Sequence, residues 1–172
     1  NLISFYALPD DNEISSIFSG FNNGAGIMGE GVGAVNVGDS NNPLWIGSLT
    51  HISKEDGYWV RVSEARSLNL INCEPVNYSS VCSVSGGCND ENVLYDMHYG
   101  NNLISYSFQS SQTIAEGLGE SSANVYAIAG EGMAALYNPN ADGDGDGWVG
   151  SLQYFEGGKG YWLVATNDFS FS

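Results

Sequence analysis

The sequence is poor in positive charge: four lysines and arginines stand against 20 acidic residues, for a formal net charge of −16. Such a surface repels nucleic acid and anionic membrane, so neither is expected as a partner. No apolar run approaches the roughly 20 residues that a membrane helix requires, which excludes direct membrane insertion by helices. Only two histidines are present, His51 and His98, and they lie far from the three cysteines. Those cysteines, Cys73, Cys82 and Cys88, lack the Cys-x2-Cys knuckle of zinc sites. No Gly-x-Ser-x-Gly elbow, Ser/His/Asp order or phosphate-binding glycine loop occurs. Lysine is scarce while Asp, Asn, Ser and Gly abound, a balance that suits an extracellular or saline setting. Glycine, by contrast, is abundant at 23 residues, and many glycines mean many turns and short strands rather than long helices.

What is present is organised by a signature that occurs twice. The first copy runs Gly29-Glu30-Gly31, then Trp45-Ile46-Gly47-Ser48-Leu49, then Gly57-Tyr58-Trp59-Val60. The second runs Gly130-Glu131-Gly132, then Trp148-Val149-Gly150-Ser151-Leu152, then Gly160-Tyr161-Trp162-Leu163. Asn1 to Phe5 and Asn102 to Tyr106 align at a fixed offset (102 − 1 = 101), and the Trp-x-Gly-Ser-Leu pair at a slightly larger one (148 − 45 = 103). A two-residue insertion therefore falls between Val35 and Trp45 of the first copy. Two modules are predicted, residues 1–72 and 96–172, with a cysteine-bearing join over 73–95. At about 70 residues each they stand near the lower limit for an independent core, so they are expected to pack on one another. Asn1 opens in mid-strand by comparison with the second copy, which implies a chain taken from something longer.

Each copy reads as several short strands and one short helix. The predicted class is all-β, two tandem antiparallel sandwich-like or barrel-like modules. Ile14, Ile17 and Phe18 make one apolar helical face after Asp11 and Asn12. The matching stretch around Ile114 contains Gly117 and reads as the weaker helix. Tyr58-Trp59-Val60-Arg61-Val62 alternates as a half-buried strand should.

The loop Asn138–Gly147 carries the strongest chemical signal. Asp142, Asp144 and Asp146, with Asn140 ahead of them, alternate with glycines, and calcium seeks six to eight oxygens on such a folded-back loop. The bidentate Glu of an EF-hand loop is missing, and the first copy lacks the ladder, so a solvated acidic hairpin tip is the competing reading. Glu30 and Glu131 sit at equivalent places, and a Glu between two glycines is expected to accept backbone hydrogen bonds in its own tight bend rather than to catalyse. Trp148, Tyr161 and Trp162 could stack on a sugar, whereas core packing is the default for the tryptophans. Asn77-Tyr78-Ser79 is a glycosylation sequon if the chain passes through a glycosylating route. A disulfide is expected among the three cysteines, as Cys73–Cys88 or Cys82–Cys88, with one thiol left over.

The residues Asn102-Leu103-Ile104-Ser105, Gly130-Glu131-Gly132, Trp148-Val149-Gly150-Ser151-Leu152 and Gly158-Lys159-Gly160-Tyr161-Trp162 together resemble a module of secreted and surface proteins of aquatic microbes and large aquatic viruses. The first copy departs from that pattern at Ser53-Lys54-Glu55-Asp56. The resemblance covers nearly the whole chain outside the join. It implies tandem arrays on a cell or virion surface, often beside thrombospondin type-3-like calcium repeats, and it implies no catalytic residues. The expectation is therefore a non-enzymatic structural or assembly module that contacts identical or related modules. The alternative is an adhesin-type carbohydrate-binding module, calcium-dependent or not.

Overall fold

A computed structural model describes residues 1–70, 73, 93–141 and 145–172. The chain is all-β with short helical pieces, as its glycine-rich, strand-forming sequence predicts. The first copy contains β1 (Leu2–Ile3), α1 (Ile14–Ile17), β2 (Gly26–Met28), β3 (Gly33–Asn36), β4 (Trp45–Gly47) and β5 (Tyr58–Arg61). The second contains β6 (Tyr95–Met97), β7 (Gly100–Ser105), β8 (Gln112–Thr113), α2 (Ile114–Leu118), a 3-10 helix over Gly119–Asn124, β9 (Val125–Gly130) and β10 (Met133–Tyr137). It continues with β11 (Trp148–Gly150), β12 (Tyr154–Phe155), β13 (Gly160–Ala165) and β14 (Phe169–Phe171). Among the described residues no helix is long and apolar enough to cross a membrane.

Each copy builds one five-stranded antiparallel sheet. Their orders, β1-β5-β2-β3-β4 and β7-β13-β9-β10-β11, are the same order used twice. The registers coincide as well: Leu2 faces Trp59 as Leu103 faces Trp162, and Val35 faces Ile46 as Leu136 faces Val149. The two-residue insertion is confined to the tip of the β10–β11 hairpin, where it disturbs no strand pairing. Gly31 and Gly132, at φ 71° and 76°, make the bends that turn β2 into β3 and β9 into β10, a conformation that a Cβ would disfavour.

Alternation along the strands separates two faces. Inward, Ile27, Ala34, Tyr58 and Val60 join Phe5, Ile14, Ile17 and Phe18 in one core. Ile128, Ala135, Tyr161 and Leu163 join Tyr106, Ile114, Leu118 and Phe155 in a second. Each module thus has its own hydrophobic cluster, with the helix and short paired segments as a thin second layer. The pairs β8–β12 and β6–β14 extend that layer in the second module, and the first has the counterpart of β8–β12 in the single antiparallel bridge between Glu13 and His51. In the first copy Leu68-Asn69-Leu70, the counterpart of β14, forms no strand.

The helical expectations are corrected in one respect. The second copy has the longer helical stretch, because Thr113 and Glu116 form a reciprocal capping box and the 3-10 helix extends it. Gly117 does not weaken it. An added Cβ there would stand 2.8 Å from the Phe155 ring, so glycine is what lets the helix lie on that ring. In the first copy the N-cap position is Glu13, which makes no side-chain cap bond. Asp11 instead accepts from the Glu13 N–H at 3.2 Å and the Ser16 hydroxyl at 2.6 Å.

The candidate functional site is the seam between the modules

The two sheets meet where their edge strands β1 and β7 lie, and the meeting is reciprocal. The Glu30 carboxylate accepts the backbone N–H of Leu103 at 2.8 Å, and the Glu131 carboxylate accepts that of Leu2 at 3.4 Å. Ser105 N–H donates to the Glu55 carbonyl at 2.9 Å, and Ser4 N–H to the Gly158 carbonyl at 3.0 Å. Asp56 bridges to Ile104 and Lys159 to Ile3 in antiparallel fashion. In every one of these pairs the residues occupy equivalent positions in the two copies, so the seam has approximate two-fold character. It closes one edge of each sheet and leaves β4 and β11 as the outer edges.

The signature glutamates and the first glycine of each Gly-Tyr-Trp segment are therefore parts of the seam, whereas the Trp-x-Gly-Ser-Leu segments lie on the outer edge strands β4 and β11. Glu30 and Glu131 do accept backbone N–H groups, as their setting between glycines suggests, but from the other copy rather than from their own bend. The reason is that β1 and β7 are edge strands, whose outward N–H groups need acceptors. Gly57 and Gly160 begin the Gly-Tyr-Trp segments because the partner backbone passes close. A Cβ on Gly57 would stand 2.5 Å from the Ile104 carbonyl oxygen, and one on Gly160 2.8 Å from that of Ile3. Tyr58 and Tyr161 fill the two cores, and the Tyr58 hydroxyl donates to the Asp56 carboxylate at 3.4 Å. Their hydroxyls accept the N–H of Ser53 and of Glu156, each at 2.8 Å, which ties down the turn before the strand. Burial pushes the Tyr161 hydroxyl up to about 12 and the Tyr58 hydroxyl higher still.

A cleft of about 260 Å³ opens on the seam, lined by Glu30, Glu55, Asp56, Asp96 and His98 among others. Its carboxylates are not alike. Asp56 keeps an exposed rim, yet desolvation of its carboxyl, helped by the charge of Glu55, raises its pKa. Glu30 spends both oxygens on ties: one on Leu103 N–H and the other on His98 Nε2 at 2.6 Å. His98 Nδ1 meets the Tyr99 carbonyl at 2.9 Å. That carbonyl, then the Glu30 carboxylate, raise the His98 pKa above the ordinary 6.5, with Asp168 adding a smaller pull. The charged form is thus favoured by the folded seam. Its contribution is complete below pH 6.5 and is lost as pH rises through the raised value. An NMR titration of the His98 ring should give a midpoint above 6.5, and Glu30→Gln should lower it. A midpoint unmoved by that substitution would remove Glu30 as the partner.

The other expected site residues divide. Trp45 and Trp148 are half-buried and pack on the two cores. Trp148 lies 5.3 Å from Tyr137 by ring centroids, and its indole N–H reaches Ser122 at 3.4 Å. Trp45 finds no acceptor for its buried indole N–H among the described residues. Tyr161 is 1% exposed, so its ring offers no open face to a sugar. Trp59 and Trp162 lie on the outer sheet faces, half-exposed. At the acidic loop, Asp146 accepts the Trp148 N–H at 2.8 Å, and the Asn140 N–H bonds to Asn138 at 3.1 Å. Asp142 and Asp144 lie outside the described residues. So do Asn77, Cys82 and Cys88, while Cys73 is half-buried and has no disulfide partner among the described residues. The first copy closes the same hairpin tip differently, with Asp39 accepting the N–H groups of Asn41 and Asn42 at 2.8 and 2.9 Å.

Comparison with family models, with curated proteins and with solved structures found no match.

Proposed function

We propose that this chain is a non-enzymatic structural module of an extracellular surface protein, filament or appendage, acting by association with identical or related modules. The observation that carries the reading is the use made of the repeated signature. Gly-Glu-Gly and the Gly of Gly-Tyr-Trp, which belong to two of the three segments that recur in both copies, serve to hold one copy against the other. A sequence that spends its repeated residues on module-to-module contact is organised for assembly. The strongly acidic composition supports an extracellular location, where divalent cations and salt screen the charge. Calcium at Asn140, Asp142, Asp144 and Asp146 belongs to the proposal as a brace for the β10–β11 hairpin. It is not needed for folding of a module, since the first copy closes its tip with the side chains of Asn36 and Asp39.

The carbohydrate-binding reading keeps support from the half-exposed rings of Trp59 and Trp162. It loses support at the acidic loop, where Trp148 is packed against Tyr137 and tied to Ser122. Light scattering over a range of concentrations, with millimolar calcium and then with a chelator, separates these readings. Concentration-dependent oligomers are expected, and their loss on chelation would assign the calcium a role in assembly. A monomer under all conditions would overturn the assembly reading and direct attention to polysaccharide retention and its loss in Trp162→Ala.

A further inference from the structure

An antiparallel sheet with one face in water ordinarily alternates apolar-in and polar-out. Neither main sheet here does so. On the first, the outward row across β4, β3 and β2 is Ile46, Val35 and Gly26, and the next row holds Met28 and Trp59. On the second, the corresponding outward row is Val149, Leu136, Ala127 and Val164, and the next holds Ala129 and Trp162. Ile46 is 56% exposed, Val35 42%, Leu136 48% and Val149 52%. In a chain with 20 acidic residues these rows contain none, and Arg61, at the end of the first row, is their single charged member.

We infer that the outer faces of the two main sheets are docking surfaces for a second copy of this chain, packed sheet face on sheet face. This rests on the assembly reading and names the surface that performs it. Three observations select the occupant. The rows run into an interface already made between copies of the module: Met28 and Trp59 continue into Leu2, and Ala129 and Trp162 into Leu103, both leucines being buried at the seam. Next, two chains of net charge −16 repel wherever carboxylates face one another, and these uncharged rows are where close approach brings no like charges together. Lastly, the aliphatic ladder is present at equivalent positions in both copies, so one chain offers a matching face to another. Stacked sheets settle about 10 Å apart and interdigitate such side chains. Edge-to-edge pairing is disfavoured by comparison, because β4 and β11 are only three residues long and Pro43 precedes β4 closely.

Val35 and Leu136 decide between the two geometries, since both lie one strand in from the edge. The double variant Val35→Lys with Leu136→Lys should shift the midpoint concentration for oligomer formation upward by roughly tenfold or more in light scattering or sedimentation. Val35→Thr with Leu136→Thr, which keeps strand preference and replaces aliphatic carbon by a hydroxyl without adding charge, should shift it the same way to a smaller extent and guards against a folding defect. Circular dichroism of each variant checks that the sheets persist. Oligomers that form in both folded variants as in the parent chain would overturn face docking while leaving assembly intact. A parent chain that stays monomeric throughout would overturn the assembly reading itself, and this inference with it.

Discussion

Gly57→Ala is expected to destabilise the chain by about 1–3 kcal/mol, and Gly160→Ala by a similar amount, through overpacking of a backbone approach. Neither glycine has a positive φ, so no conformational strain enters and the loss comes from contact alone. At Gly57 the new methyl group would press on the Ile104 carbonyl and, at 3.1 Å, on a Leu103 methyl group. At Gly160 it would meet the Ile3 carbonyl and, at 3.0 Å, a Leu2 methyl group. Backbone atoms cannot rotate aside as a side-chain terminus can, so the seam must open. Opening exposes Leu2 and Leu103 and strips Glu30 of its Leu103 N–H. Urea unfolding measures the loss, and the Leu103 amide in hydrogen exchange reports whether it occurs at the seam. Gly26→Ala is the control, since its added carbon would meet nothing closer than 3.7 Å. If Gly57→Ala unfolds with the midpoint of Gly26→Ala, the close approach is not a determinant of the seam.

Asn36→Ala should cost more, about 3–5 kcal/mol, because it orphans several groups at once at about 1–3 kcal/mol for each that stays buried. Asn36 is fully buried at 0% exposure. Its amide donates to the Phe21 carbonyl at 2.7 Å, and its side-chain oxygen accepts from the N–H groups of Gly38 and Leu44 at 2.9 and 2.8 Å. One side chain thus joins the segment after α1 to both limbs of the β3–β4 hairpin tip. The second copy has Tyr137 here and closes its longer tip with the Asn138 N–H on the Gly147 carbonyl at 2.7 Å. A matching loss from Tyr137→Ala would have to come from aromatic packing against Trp148, not from hydrogen bonds. Thermal unfolding of Asn36→Ala and Asn36→Asp distinguishes the parts. The aspartate keeps the acceptor, loses the donor and adds a buried charge, so its penalty should shrink as pH falls and the carboxyl is protonated. An Asn36→Ala variant within about 0.5 kcal/mol of the parent, the range of ordinary surface changes, would show that the tip finds other partners.

The two faces of each strand were legible because period-two alternation is a local property. That Tyr58 and Val60 share one face and Trp59 and Arg61 the other follows from spacing alone, as the duplication follows from the recurring signature. Which face is inward does not, and the default of core packing for a tryptophan fails at Trp59, because Tyr58 takes the core. The role of Glu30 was half legible. Its place between two glycines announced backbone acceptance, but the donor lies in the other copy, and no local rule names a partner that packing supplies. His98 gave no signal at all, since nothing in the neighbourhood of either residue indicates that they meet. Gly117 misled for a similar reason. Its propensity argues against helix, while the Phe155 ring that requires it belongs to a strand far along the chain.

The sequence by itself determined an all-β chain of two equivalent modules, the turns between their strands and which side chains share a face of each strand. These follow from glycine placement and from side-chain alternation, both readable within a few residues. Only the tertiary structure decided that the signature glutamates and glycines serve the join between copies, and that the outward rows of the sheets are apolar in both. Contacts across a seam depend on how two folded surfaces meet, and the face a strand leaves to water depends on which strands lie beside it. Neither is a property of any single stretch of the chain.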